Sequence, residues 1–184
     1  MRRRNSGYSL IEVMMVVALT TIGSSVAVVQ YRSSKAILEA NVAASTVIGQ
    51  LRYAREIAVD QRRNVEVEFI GTDTIEVRRV ESDATETVVS TATLPTGYTY
   101  GLPTGMSDTP DSYGNSDPVF FNEAATGTFL GDGVFVGTGG IVLSGSVFTI
   151  GPGGNGSARA VTLSGASGRI KQYYIRDGEW AERN

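Results

Sequence analysis

Neither histidine nor cysteine occurs anywhere in the 184 residues. That removes imidazole acid/base chemistry, thiol nucleophiles, Cys/His zinc or iron–sulfur centres and any disulfide framework. Proline is missing from the first 94 positions, so nothing in that half breaks a helix by ring clash. Positive charge is nearly absent from the middle. Between Asn64 and Ala158 only Arg78 and Arg79 stand against twelve acidic residues, a distribution that repels nucleic acid and anionic lipid. With 41% hydrophobic and 19% charged residues the chain is too apolar to be disordered, and its 22 glycines show no three-residue period. The length suits one domain with a short appendage.

The appendage is the N-terminus. Arg2, Arg3 and Arg4 precede a stretch from Val13 to Tyr31 without a charged residue; with Leu10 and Ile11 it approaches the ~20 residues that span a bilayer as a helix. The positive-inside rule then predicts a cytoplasmic Met1 and an exported body. Glu12 is costly at the edge of such a span unless it meets a cation. Cleavage at Gly7-Tyr8 would supply one, a new amine four residues before Glu12.

The run Gly7-Tyr8-Ser9-Leu10-Ile11-Glu12-Val13-Met14 resembles the processing site of type IV prepilins and type II secretion pseudopilins. The resemblance implies cleavage after Gly7 by a membrane peptidase, methylation of Tyr8, and retention of the apolar segment. It also implies that Glu12 neutralises the N-terminal amine of a neighbouring subunit in a filament. Tyr8 stands where the family usually has phenylalanine. A secretory signal peptide ending near Ser25-Val26-Ala27, or an unprocessed anchor, are alternatives that leave Glu12 unexplained.

Beyond the membrane segment Ala40, Ala44, Val47, Leu51, Ala54 and Ala58 recur at four- and three-residue spacing, a helical stripe with Glu39, Gln50, Arg52, Arg55 and Glu56 opposite. Gly23-Ser24-Ser25 is the point where this helix could bend. After Arg63 the period becomes two. Val65, Val67 and Phe69 alternate with Glu66 and Glu68, Ile75 and Val77 with Glu76 and Arg78, and Gly71-Thr72-Asp73 turns between them. Further strands are predicted over 86–92, 119–122, 140–143, 147–150, 160–163 and 170–175. The expected fold is α+β: leader 1–7, transmembrane half-helix 8–31, amphipathic half 32–62 and a β-rich periplasmic domain 63–184.

Gln50-Leu51-Arg52-Tyr53-Ala54-Arg55-Glu56-Ile57-Ala58, with Phe121-Asn122 and Gly168-Arg169-Ile170-Lys171, resembles the GspH/FimT group of minor pseudopilins and pilins. The implied role is structural and non-enzymatic, with no cofactor. Implied partners are other pilins or pseudopilins, the prepilin peptidase and an inner-membrane assembly platform, and the implied setting is the inner membrane and then the filament. A competing role is DNA uptake. FimT-type pilins grip phosphates with a terminal G-R-x-R, here Arg169 and Lys171, and with Arg159, Arg176 and Arg183 the tail holds five basic groups against three acidic ones. The bland alternative makes Arg169 and Lys171 the polar face of an edge strand.

Two other constellations are weaker. The run from Gly151 to Gly156 matches G-x-G-x-x-G in form, but a strand follows where a helix is required, so a turn is expected. Asp108, Asp111, Asn115 and Asp117 gather oxygen ligands without the spacing of a calcium loop, so a solvated polar turn is expected and no metal is assigned.

Overall fold

The computed structural model describes residues 9–106, 108–114, 117–121 and 125–183. Helix α1 (Leu10–Gln61) is followed by β1 (Val65–Ile70), β2 (Thr74–Val80), β3 (Glu86–Thr93), β4 (Thr99–Tyr100), β5 (Val119–Phe120) and β6 (Thr126–Phe129). Then come β7 (Phe135–Val136), β8 (Gly145–Gly151), β9 (Gly154–Ser164), β10 (Arg169–Arg176) and β11 (Glu179–Glu182). The chain divides into two compact units after Lys35.

In the first unit the helix runs through Gly23-Ser24-Ser25 without interruption. The hydroxyls of Thr20 and Thr21 donate to the carbonyl of Val17, and those of Ser24 and Ser25 to Thr20 and Ile22. Their polarity is thus turned back on the helix itself. Among the described residues no helix is long and apolar enough to cross a membrane. The span expected over 8–31 includes Tyr8, Val26 and Val29, which lie outside the residues or side chains described.

In the second unit Ala40, Ala44, Val47, Leu51, Ala54 and Ala58 are all fully buried, joined by Ala43. Five alanines, Ala43 included, make it a shallow face on which sheets can pack. Two antiparallel sheets do so, in the orders β3-β2-β1-β6-β7 and β11-β10-β9-β8-β4, with β5 also on β8. Val65, Val67, Ile75 and Val77 come from the first sheet, and Val147, Val161 and Leu163 from the second; all share one core with the helix. A row of rings fills the middle: Phe69 lies 5.6 Å from Tyr100 and 5.8 Å from Phe121, and Phe135 lies 5.1 Å from Phe121 and 4.8 Å from Phe129.

The predicted hairpin forms with Glu66 opposite Arg78, and the φ of +62° at Gly71 explains the glycine in its turn. The G-x-G-x-x-G run is a tight turn between β8 and β9, with Gly151 paired to Gly154. The strand expected at 140–143 does not form. Thr138–Gly140 is a 3-10 turn with φ of 80° at Gly139 and 76° at Gly140, leaving only a single bridge from Val142 to Val136. Leu102 and Asp111, from the loop between β4 and β5, lie on the outer face of the second sheet, where Leu102 packs on Phe148, Ala160 and Tyr173 with Trp180 beside them.

Candidate functional site

Gly7 and Tyr8, the expected processing site, lie outside the described residues. The helix starts directly after them, with the Ser9 carbonyl accepting from the amides of Glu12 at 3.0 Å and Val13 at 3.2 Å. Glu12 sits exposed in the first turn. A carboxylate there is favoured by the helix dipole and keeps its oxygens free for an outside cation.

At the other candidate site, alternation along β10 puts both predicted DNA contacts on the face opposite Ile170, but their surroundings differ. Ile170 packs against the core. Arg169 is 69% exposed, its Nη2 4.0 Å from Glu182. Lys171 was expected on the solvent face as well, and here the structure differs. Its side chain is only 21% exposed, with Nζ 2.8 Å from Asp111 Oδ1, 3.2 Å from the Tyr173 hydroxyl and 3.5 Å from Glu182. The Tyr173 and Thr162 hydroxyls donate to Asp111 Oδ2 at 2.9 and 2.6 Å. Hydrogen bonding to Asp111 pushes the Lys171 amine up from its usual range. Burial raises the Asp111 carboxyl, but the bonds from Lys171, Thr162 and Tyr173 outweigh it and hold the group below the ordinary aspartate value. Lys171 thus clamps the covering segment to the sheet.

The clamp also engages part of the oxygen-rich loop. Asp111 is occupied by Lys171, and Asp108 accepts the amides of Thr109 at 2.7 Å and Gly114 at 3.0 Å. Asn115 lies outside the described residues. Among the described residues no group of three or more acidic side chains is placed to hold a metal.

Arg159 also leaves the basic tail, because it is 4% exposed and turned toward the helix, where its Nε donates to Asn41. Of the tail cations Arg169, Arg176 and Arg183 remain exposed, and Arg169 and Arg183 join Arg52 of the helix at a groove of about 410 Å³ between α1 and β10, lined also by Lys171 and Glu182. On the other sheet Arg78 is ringed by Glu66, Glu68, Glu76 and Glu86. Burial, then repulsion from Glu86, raises the Glu66 carboxyl.

One contact had no sequence signal. Arg55 donates through Nε to the Gly133 carbonyl and through Nη2 to the Ser167 carbonyl, both at 3.2 Å. Gly168 adopts φ +64°, and a Cβ there would lie 2.3 Å from Arg55 Nε. The helix-end motif and the terminal Gly-Arg motif, more than 100 residues apart, therefore touch. A glycine just before the arginine of a strand start was the only hint.

The chain matches the prokaryotic N-terminal methylation motif over residues 2–28. No curated protein matches it. Among solved structures it is similar to the type IV minor pilin FimU of Pseudomonas aeruginosa, at 16% identity and a TM-score of 0.50, over 78% of this chain and 92% of that one. It is also similar to EpsH, a minor pseudopilin from the type 2 secretion system of Vibrio cholerae, at 13% identity and a TM-score of 0.49, over 73% and 95%. The protein is an α+β chain of pilin-like fold. Its first 28 residues carry the methylation motif of prepilin-type proteins.

Proposed function

We propose that the chain is a minor pseudopilin or type IV pilin of the GspH/FimT kind, a structural subunit of a secretion or pilus filament and not an enzyme. The observation that carries this reading is the methylation motif running directly into a helix whose first turn presents an exposed Glu12. In this reading the prepilin peptidase cuts after Gly7 and Tyr8 becomes the methylated N-terminus. The helix from Ser9 to Tyr31 anchors the chain in the inner membrane, N-terminus inside and β domain in the periplasm. Glu12 then pairs with a neighbour's amine as the assembly platform adds the chain to the filament. Intact-mass and N-terminal peptide mass spectrometry of the mature protein are expected to find Tyr8 as the first residue, carrying one methyl group. A first residue at Val28, or a retained Met1, would overturn the reading.

A role in DNA uptake is the second reading, favoured by the exposed Arg52, Arg169 and Arg183 around one groove. The Asp111 clamp on Lys171 and the burial of Arg159 weigh against it. Full-length protein in detergent is expected to bind DNA no more tightly than ~10⁻⁴ to 10⁻⁶ M, with steep salt dependence and further loss in Arg169→Gln. Tight binding indifferent to Arg169→Gln would show that DNA is held elsewhere.

A further inference from the structure

Arg159 is the one charged side chain buried among the described residues, at 4% exposure. Its hydrogen bonds go to neutral acceptors alone: Asn41 Oδ1 from Nε at 3.0 Å, and the Ala158 and Gly156 carbonyls from Nη1 at 2.7 and 3.3 Å. Among the described residues no carboxylate forms an ion pair with the guanidinium. The next charge that acts on it is another cation, Arg183. Burial first, and Arg183 second, push the Arg159 pKa down. A guanidinium out of water without a counter-charge is costly, and proteins keep such groups where a partner arrives.

The room for that partner is present. A pocket of about 280 Å³ opens beside the guanidinium, lined by Ile37, Asn41, Arg159, Tyr174 and Arg183. Tyr174 lies directly across the ladder from Arg159, so the guanidinium sits behind an aromatic wall. Exposed Leu38 and Val42 extend the apolar rim along the helix. An apolar surround with a desolvated arginine at its base is the make-up of a protein–protein anchor point. The charge calls for an anion. The largely apolar lining favours a carboxylate on an aliphatic stem over a fully hydrated phosphate, and the planar guanidinium fork matches a carboxylate in two parallel hydrogen bonds.

We propose that this pocket docks an acidic side chain of a neighbouring protein subunit, its carboxylate held between Arg159 and Arg183 and its aliphatic stem against Ile37 and Tyr174. That the neighbour is a filament subunit rests on the function proposed above; the carboxylate site does not. The test uses the full-length chain in detergent with ¹⁵N-labelled arginine, titrated with N-acetyl-glutamate amide while the Arg159 Nε–H signal is followed. A saturable shift with a midpoint on the order of 10 mM is expected, weakened about tenfold in the surface variant Arg183→Gln. The neutral N-acetyl-glutamine amide is expected to leave the signal in place. No Arg159 shift by about 100 mM, an equal shift with the glutamine compound, or an equal response to inorganic phosphate would each overturn the carboxylate assignment. Because the titration needs no filament, a saturable shift stands even if the chain proves to assemble with nothing, and normal assembly without a shift defeats the pocket alone.

Discussion

Glu12→Ala is expected to remove the chain from sheared filaments almost completely while leaving the amount in the membrane unchanged or raised. A charged side chain costs about 2.5–3.5 kcal/mol at the centre of a hydrocarbon span and less at its edge, so its loss can only ease insertion. In an assembled bundle the balance reverses, because a buried amine deprived of its carboxylate costs about 3–5 kcal/mol. At 1.4 kcal/mol per factor of ten that is roughly a hundredfold or more in incorporation. Glu12→Gln keeps the shape and loses the charge, so it belongs with alanine if ion pairing is the cause. Quantitative immunoblots of filament and membrane fractions make the comparison. Normal incorporation of either variant would show that Glu12 has no docking role, whatever the N-terminus proves to be.

Gly168→Ala is expected to destabilise the β domain by about 2–4 kcal/mol. Holding alanine in the left-handed region costs about 1–2 kcal/mol, and displacing the flexible end of Arg55 adds about 1–2 kcal/mol of overpacking, the lower part of the usual range. At about 2–4 °C per kcal/mol for a domain of this size, the thermal midpoint should fall by roughly 5–15 °C. Gly71→Ala is the control, since Gly71 has nearly the same φ, +62°, and nothing within 4 Å of an added Cβ. It should carry the backbone cost alone. Arg55→Ala loses two hydrogen bonds to carbonyls yet frees the space, so in the double variant the two changes should fall short of additivity by about 1 kcal/mol or more. Strict additivity in thermal unfolding would mean that Arg55 and Gly168 do not press on each other.

What the amino-acid pattern revealed follows the length of its regular segments. The buried stripe from Ala40 to Ala58 repeats over five turns, and the β1–β2 hairpin alternates over two full strands around a glycine turn, so both were legible. The two-residue β5 falls inside the predicted 119–122, but β4 and β7, also of two residues each, and β6, Thr-Gly-Thr-Phe, were not anticipated. Alternation cannot declare itself over so few positions, and their pairing is imposed by the strands beside them. Ile141, Val142 and Leu143 looked like a strand because they are β-branched or apolar. The φ values of the two glycines before them set the chain turning instead.

The candidate site divides in the same way. The N-terminal motif is contiguous, so the resemblance to prepilins could be drawn residue by residue. Lys171 and Arg159 are defined by distant partners, Asp111 and Asn41, that no local pattern links to them. Both read as solvated basic residues in a polar tail. Sheet alternation could place Lys171 on the face away from Ile170, but not foresee that a Gly/Pro/Asp-rich stretch would cover that face.

The contacts of Arg159 with Asn41 and of Arg55 with Ser167 join positions 118 and 112 residues apart. Contacts of such sequence separation come late in folding, since a long loop must be closed before they return anything. The alanine face of the helix, which the first sheet covers in part, is therefore completed only when the strands from Gly154 to Glu182 are at hand. In an exported chain with its helix end first, the body cannot finish folding while those strands are still inside the translocation channel. Maturation of the subunit is thereby timed by the arrival of its last strands.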